Sequence, residues 1–134
     1  FHFAELVEWP GDHRDDITLC LQASHRLTRH LGALEGQRID DAIMHITTSY
    51  PLTMEGCQML LLNELDELSD DVRHQARDRH ILLLSDQEHF AERGGMLQFT
   101  RRDDKLHLVV NLQAVKKAGL KISSKLLRMA EILE

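Results

Sequence analysis

Two short runs of wholly apolar residues constrain the fold of this chain most strongly. Met59–Leu62 and residues 81–84 contain no polar side chain, and such strands are typically buried on both faces of a sheet. Between the two runs, Ser69 can cap a helix that extends to about Arg77, with two aspartates in its first turn. Two buried strands joined through a helix predict a mainly parallel sheet.

Further signals place these runs within an alternating order of strands and helices. Helices are also predicted over residues 25–34 and, as a short piece, over 87–92. The remaining predicted strands are 17–21, 42–47, 96–100 and 105–110. The last two of these flank the charged turn 101–104 and should pair antiparallel.

The length and composition favour one domain. The 134 residues are 43% hydrophobic, which is enough for one core and too little for two ordinary domains. We therefore expect a single three-layer α/β domain over residues 1–134, with a mainly parallel sheet flanked by helices. An antiparallel C-terminal hairpin should extend one edge of the sheet.

The N-terminal segment predicts a helix, and the sequence begins inside it. Phe3, Leu6 and Val7 form an apolar stripe, and Pro10 ends the helix. Because the chain begins inside this helix, we expect that a leader, and the start of the helix, are missing. Trp9 is either a core residue or an exposed contact anchor.

The C-terminal segment predicts two short helices that meet at a tight corner. Asn111 can cap the first helix, over residues 112–118, and Gly119 can supply its left-handed stop. Either Ser123 or Ser124 can cap the second helix. Its predicted apolar face contains Leu126, Leu127, Ala130 and Leu133.

Charge and composition argue against nucleic acid and against a membrane span. The net charge is −6, acidic and basic residues are interspersed, and only 4% of the residues are aromatic. No apolar run approaches the roughly 20 residues that a transmembrane helix needs.

We identify no catalytic site. A serine nucleophile would need a constrained turn such as G-x-S-x-G, which the sequence lacks. Ser85 and Asp86 follow a strand, where helix capping explains both. Gly94 and Gly95 precede a strand instead of a helix, so a turn explains them better than a phosphate-binding loop.

The nine histidines do not predict a metal site either. His25 and His30 are five residues apart, and no histidine pair has the i, i+4 spacing that places two imidazoles on one helix face. His13 lies in a charged loop, and His107 should occupy the outer face of an edge strand. We assign no metal ligand and no cofactor.

The two cysteines leave two alternatives open. Cys20 lies in the first strand and Cys57 immediately precedes the third, and these strands are often neighbours in doubly wound sheets. A disulfide is geometrically conceivable, but the residues alone slightly favour two buried free thiols.

Four segments, taken together, resemble the YfiR family of small periplasmic proteins. They occur in consistent order from end to end: FAELVEWP (3–10), GCQMLLLNE (56–64), FAERGGMLQF (90–99) and VNLQAVKKAGLKISSKLLRMA (110–130). The resemblance implies a periplasmic repressor that binds an inner-membrane diguanylate cyclase of the YfiN type. It would thereby control cyclic di-GMP signalling and biofilm formation without being an enzyme.

The resemblance has further implications. It favours a Cys20–Cys57 disulfide, whereas the second cysteine pair that family members can carry is missing here. It also implies an outer-membrane lipoprotein of the YfiB type as a sequestering partner. A homodimer of the chain is compatible with the resemblance. The alternative function is a sensor domain that binds a small molecule at the carboxyl ends of the strands and reports through partner affinity.

A candidate partner- or ligand-binding surface lies at the C-terminal corner. Lys121 and Lys125 flank the start of the second helix, where positive charge and free amides can receive an anion or a partner's carboxylate. Simple helix capping by the serines is the competing interpretation. The full candidate set is Trp9, Gly94, Gly95, Lys121, Ser123, Ser124 and Lys125.

Overall fold

A computed structural model of the chain describes residues 7–8, 16–22, 32–33, 35–39, 42–49, 54–62, 68–102 and 105–133. The strands of this part are β1 (Val7–Glu8), β2 (Asp16–Gln22), β3 (Arg38–Ile39), β4 (Ala42–Ser49), β5 (Met59–Leu62), β6 (Leu82–Ser85), β7 (Leu97–Arg102), β8 (Lys105–Asn111), β9 (Lys121–Ile122) and β10 (Ala130–Leu133). The helices of this part are α1 (Asp70–Asp78), α2 (Leu112–Lys117) and α3 (Ser124–Met129).

Eight of these strands form one mainly parallel sheet. Their order is β10-β8-β7-β6-β5-β2-β4-β3. The strands β4, β2, β5, β6 and β7 run parallel to one another, and β10 runs parallel to β8. The pairs β7–β8 and β3–β4 are antiparallel. The predicted α/β fold, with a mainly parallel sheet and an antiparallel C-terminal hairpin, is confirmed.

The apolar runs form the centre of the sheet, as predicted. All residues of β5 and β6 are buried, and each strand has a parallel neighbour on both sides. The one polar residue among them, Ser85, donates its hydroxyl to the carbonyl oxygen of Leu62 at 2.7 Å. Ser85 therefore ties β6 to β5. The helix cap predicted at Ser85 is wrong, because turns and not a helix follow it.

The helix between these two strands begins at the predicted residue. The Oγ atom of Ser69 accepts a hydrogen bond from the backbone N–H of Val72 at 3.1 Å, which satisfies one of the otherwise unpaired amides of the first turn. Asp70 and Asp71 lie in that turn, and Ala76 is fully buried. Capping and burial of one face together hold α1 in place.

The helical piece predicted over residues 87–92 is wrong. The structure has a series of hydrogen-bonded turns there, and His89 has a φ of 60°. A left-handed residue cannot continue a right-handed helix.

The second C-terminal helix is shorter than predicted. It ends at Met129, and Ala130–Leu133 form strand β10 instead of a last helical turn. The strand pairs with β8 from Ala130 opposite Leu108 to Leu133 opposite Asn111. Non-local backbone pairing with β8 therefore outweighs the local helical pattern.

Strand β10 also corrects the predicted edge of the sheet. Because β10 lies outside β8, the hairpin is not the outermost element. His107 is exposed as expected, yet it belongs to an inner strand and precedes the segment of β8 that β10 covers.

The N-terminal prediction is wrong at Val7. Val7–Glu8 form strand β1 of a separate two-stranded antiparallel sheet, in which Val7 lies opposite Ile122 and Glu8 opposite Lys121. The backbone of β9 supplies the hydrogen-bond partners that a helix would have supplied internally. Phe3, Leu6, Trp9 and Pro10 lie outside the described residues, as does nearly all of the helix predicted over 25–34.

None of the described helices combines the length and the apolar content that crossing a bilayer requires.

Candidate functional site

The C-terminal corner is built by two capping interactions. Asn111 Oδ1 accepts from the backbone N–H of Ala114 at 3.1 Å, and Asn111 Nδ2 donates to the carbonyl oxygen of Ala91 at 2.8 Å. Gly119 has a φ of 78° and ends the first helix. The predicted cap and stop are both present, and Asn111 also fixes α2 to the turns before β7.

Ser123, and not Ser124, caps the second helix. Its Oγ atom accepts from the backbone N–H of Leu126 at 3.2 Å, and the fully buried Leu126 side chain anchors that helix in the core. Ser124 and Lys125 are exposed in its first turn. One of the helix-start amides that sequence analysis offered to an anion, the N–H of Leu126, is therefore engaged by the protein's own serine.

Lys121 lies in β9, opposite Glu8 of β1. It is exposed, as are Ser124 and Lys125. These three side chains form an accessible polar surface at the corner, which we call the β9–α3 surface. Trp9, the aromatic candidate for the same surface, lies outside the described residues.

The glycine pair is explained by close packing. Gly94 has a φ of 106°, and a Cβ atom there would lie 2.7 Å from Cδ of Arg73. A Cβ atom on Gly95 would overlap the ring of Phe90. Both positions therefore need glycine to let a neighbouring side chain cross the backbone.

A cavity that sequence analysis did not predict lies beside this glycine pair. Its volume is about 240 Å³. Its cationic side chains are Arg73 and Arg77 of α1 and Lys117 of α2. The other lining residues are His74, Leu83, Gly94, Met96, Asn111, Gln113 and Ala114.

The cavity brings Gly94 together with α2 and not with the β9–α3 surface, whose residues do not line it. The Arg73–Arg77 spacing of one helical turn was readable from the sequence. The position of Lys117 opposite them was not, because it depends on how α2 packs after the hairpin.

Cys20 and Cys57 form a disulfide. Their Cα atoms are 5.9 Å apart, within the usual range for a bridge, and both residues are almost completely buried. The bridge joins β2 to the turn that leads into β5, which lies beside it in the sheet. Of the two alternatives that the residues left open, the structure has the one that the family resemblance favours.

An ionic cluster links β2, β4 and the loop before β3. His45 Nε2 lies 2.7 Å from Asp16 Oδ1, and His45 Nδ1 lies 3.0 Å from Glu35 Oε2. The hydrogen bonds to Asp16 and Glu35 raise the pKa of His45 above 6.5. The pKa of Glu35 is lowered, mainly because its Oε1 atom accepts from the backbone N–H of Ile46 at 2.9 Å.

This cluster does not resemble a metal site, because two carboxylates occupy both ring nitrogens of His45. Within the part of the chain that the structure describes, no group of three or more histidine, cysteine or acidic residues is arranged to hold a metal ion. His13, His25 and His30 lie outside that part.

The site of the alternative sensor function cannot be placed on described residues. The strands that follow β2 are added first on one side of it, as β4, and then on the other side, as β5, and α/β proteins commonly bind ligands at the carboxyl ends of strands at such a switch point. These strands end at Gln22 and Leu62, and residues 23–31 and 63–67 beyond them are outside the described part.

The sequence model of the YfiR/HmsC-like family matches residues 1–131 of the chain. The match includes all four segments on which the resemblance was based. The comparison with curated proteins gives no match.

Proposed function

Since this chain belongs to the YfiR/HmsC-like family, we propose that it is a periplasmic regulator of cyclic di-GMP signalling that binds and represses an inner-membrane diguanylate cyclase of the YfiN type. The family is a regulatory one and not a known catalytic one. The single observation that carries the proposal is the match over residues 1–131.

The buried disulfide supports the compartment. Disulfides persist in oxidising environments such as the bacterial periplasm and are rare in the cytosol, where thiols are kept reduced. Cys20 and Cys57 join the central strand β2 to the turn that leads into its neighbour β5. A protein that depends on such a bridge for stability is suited to action outside the cytoplasm.

Repression of this kind requires no chemical step. A protein that binds the inactive conformation of a cyclase more tightly than the active one shifts the cyclase toward the inactive state. The size of the effect equals the difference between the two binding free energies. An outer-membrane lipoprotein of the YfiB type would release the cyclase by competing for the repressor.

The β9–α3 surface is the part of the described molecule that we propose contacts the cyclase. Lys121 and Lys125 are exposed and close in sequence on a compact corner, and the Ser123 cap and the buried Leu126 hold the backbone of that corner. Exposed cations on a rigid backbone fit an acidic patch of a partner, because little backbone order must be gained on binding.

The test is a deletion strain with the gene restored in different forms. Deletion should raise intracellular cyclic di-GMP, and the unaltered gene should lower it again. The double charge reversal Lys121→Glu and Lys125→Glu should fail to restore repression and should lose the cyclase in a pull-down from solubilised membranes. The matched control is Arg79→Glu with Lys116→Glu, which reverses two exposed charges on other elements.

The outcomes separate the function from the surface. An unchanged cyclic di-GMP level in the deletion strain would contradict the proposed function. Normal repression by a folded Lys121→Glu, Lys125→Glu protein would instead contradict only the assignment of the surface.

A further inference from the structure

We propose that the cavity between α1 and α2 is a binding site for a small organic anion, a carboxylate or phosphate attached to a compact apolar group. The site is separate from the β9–α3 surface, and the proposal does not depend on the cyclase. Three observations carry it: the charge of the lining, the fixed position of Arg73 and the apolar floor.

The lining is positively charged. Arg73 and Arg77 are one turn apart on α1, Lys117 approaches from α2, and none of the described residues that line the cavity is acidic. Like charges held together on facing elements repel one another. An anion between them would remove this repulsion and would gain charge-assisted hydrogen bonds.

Neighbouring carboxylates offset this charge only in part. Asp70 pairs with Arg73, and Asp78 pairs with Arg77 at 3.4 Å. The side chains of Asp70 and Asp78 are 80% and 70% exposed, so water screens both pairs strongly. Both carboxylates also lie outside the lining of the cavity.

Arg73 is already held in place. Its Nη1 atom donates to the carbonyl oxygens of Leu68 at 3.4 Å and Arg93 at 3.2 Å. Its aliphatic chain passes over Gly94, where a Cβ atom would collide with it. A ligand would therefore find one cation ordered in advance, which lowers the entropic cost of binding.

The floor of the cavity is apolar, and its size limits the ligand. Leu83 and Met96 are buried core residues that also line the cavity, while the amides of Asn111 and Gln113 add polar groups to its wall. A volume of about 240 Å³ equals that of roughly eight water molecules in the liquid. A single ring or short chain with one anionic group fits this space.

The experiment measures binding of defined probes to the purified protein by amide chemical shifts. Phenyl phosphate and benzoate represent the two anion types, and inorganic phosphate and benzyl alcohol represent the anion and the apolar group alone. At least one of the two combined probes should give saturable shifts at Leu83, Met96 and Gln113. Each partial probe should bind about tenfold more weakly or worse.

The variants test the charges. Arg77→Gln with Lys117→Gln should weaken binding of the combined probe about tenfold. The control, Arg79→Gln with Lys116→Gln, removes the same charge from the same regions without altering the lining and should change binding less than about twofold. Arg73 is left intact because it also bonds to two backbone carbonyls.

Three results would overturn the proposal. The first is the absence of saturable shifts with both combined probes. The second is unchanged binding by the folded Arg77→Gln, Lys117→Gln variant. The third is an equal loss in the control variant, which would show nonspecific attraction to a basic surface.

Discussion

The aromatic ring of Phe90 occupies the space that a Cβ atom on Gly95 would need. Phe90 is fully buried, and its carbonyl oxygen accepts a hydrogen bond from the backbone N–H of Gly95 at 2.9 Å. The backbone of Gly95 therefore packs directly against the core just before β7 begins. Glycine is required here by close approach, since no positive φ is involved.

This contact predicts that Gly95→Ala is destabilising. The added methyl group would overpack a fully buried site, which typically costs about 1–3 kcal/mol. Gly32→Ala is the matched control, because nothing lies within 4 Å of a Cβ at that position, and it should change stability by no more than about 1 kcal/mol. Urea unfolding measures both values, and equal effects of the two substitutions would contradict the packing argument.

The elements that sequence analysis predicted correctly have strong local signals. The apolar runs of β5 and β6 need only burial on both faces to become central strands. Ser69 and Asn111 cap helices because their side-chain oxygens reach backbone amides three residues ahead. Such short-range contacts depend less on distant parts of the chain than strand pairing does.

The features that were missed depend on distant partners. Ala130 begins a strand because β8 offers an unpaired edge, and Val7 is extended because β9 lies beside it. The cavity needs Lys117 to face Arg73 and Arg77, and that arrangement follows from the packing of α2. No periodicity in the sequence encodes these pairings directly.

The disulfide makes a prediction about stability under reduction. Cys20 and Cys57 are 37 residues apart, so the closed loop should contribute about 3–4 kcal/mol by restricting the unfolded chain. Cys20→Ala with Cys57→Ala should lower the free energy of unfolding by about that amount. Reduction with dithiothreitol should destabilise the unaltered protein similarly and leave the variant unchanged. A variant as stable as the oxidised protein would refute this contribution.

The cap of α3 makes a second local prediction. Ser123→Ala should cost about 1 kcal/mol, because the backbone N–H of Leu126 loses its acceptor. Ser124→Ala, the control, alters an exposed residue inside the helix and should stay within about 0.5 kcal/mol of the unaltered protein. Chemical unfolding distinguishes the two variants. A larger loss of stability for Ser124→Ala than for Ser123→Ala would show that Ser123 is not the capping residue.

The ionic cluster predicts how stability depends on pH. Hydrogen bonds to Asp16 and Glu35 raise the pKa of His45 above its usual 6.5. The stabilisation that protonated His45 gives the folded state is therefore complete below pH 6.5 and is lost as pH rises through the elevated pKa. The lowered pKa of Glu35 acts oppositely: its contribution is present above 4.5 and is lost as pH falls through the lowered pKa.

The variant His45→Gln should therefore be least stable relative to the unaltered protein at about pH 5.5, where both contributions are present. The difference should be smallest at about pH 8. Urea midpoints measured across this range give the difference at each pH, and an NMR titration of the imidazole reports its pKa directly. His107→Gln, which alters an exposed histidine on β8, controls for the loss of one imidazole. A His45→Gln difference that grows as pH rises would reverse the predicted sign and rule out the charged pair as its cause.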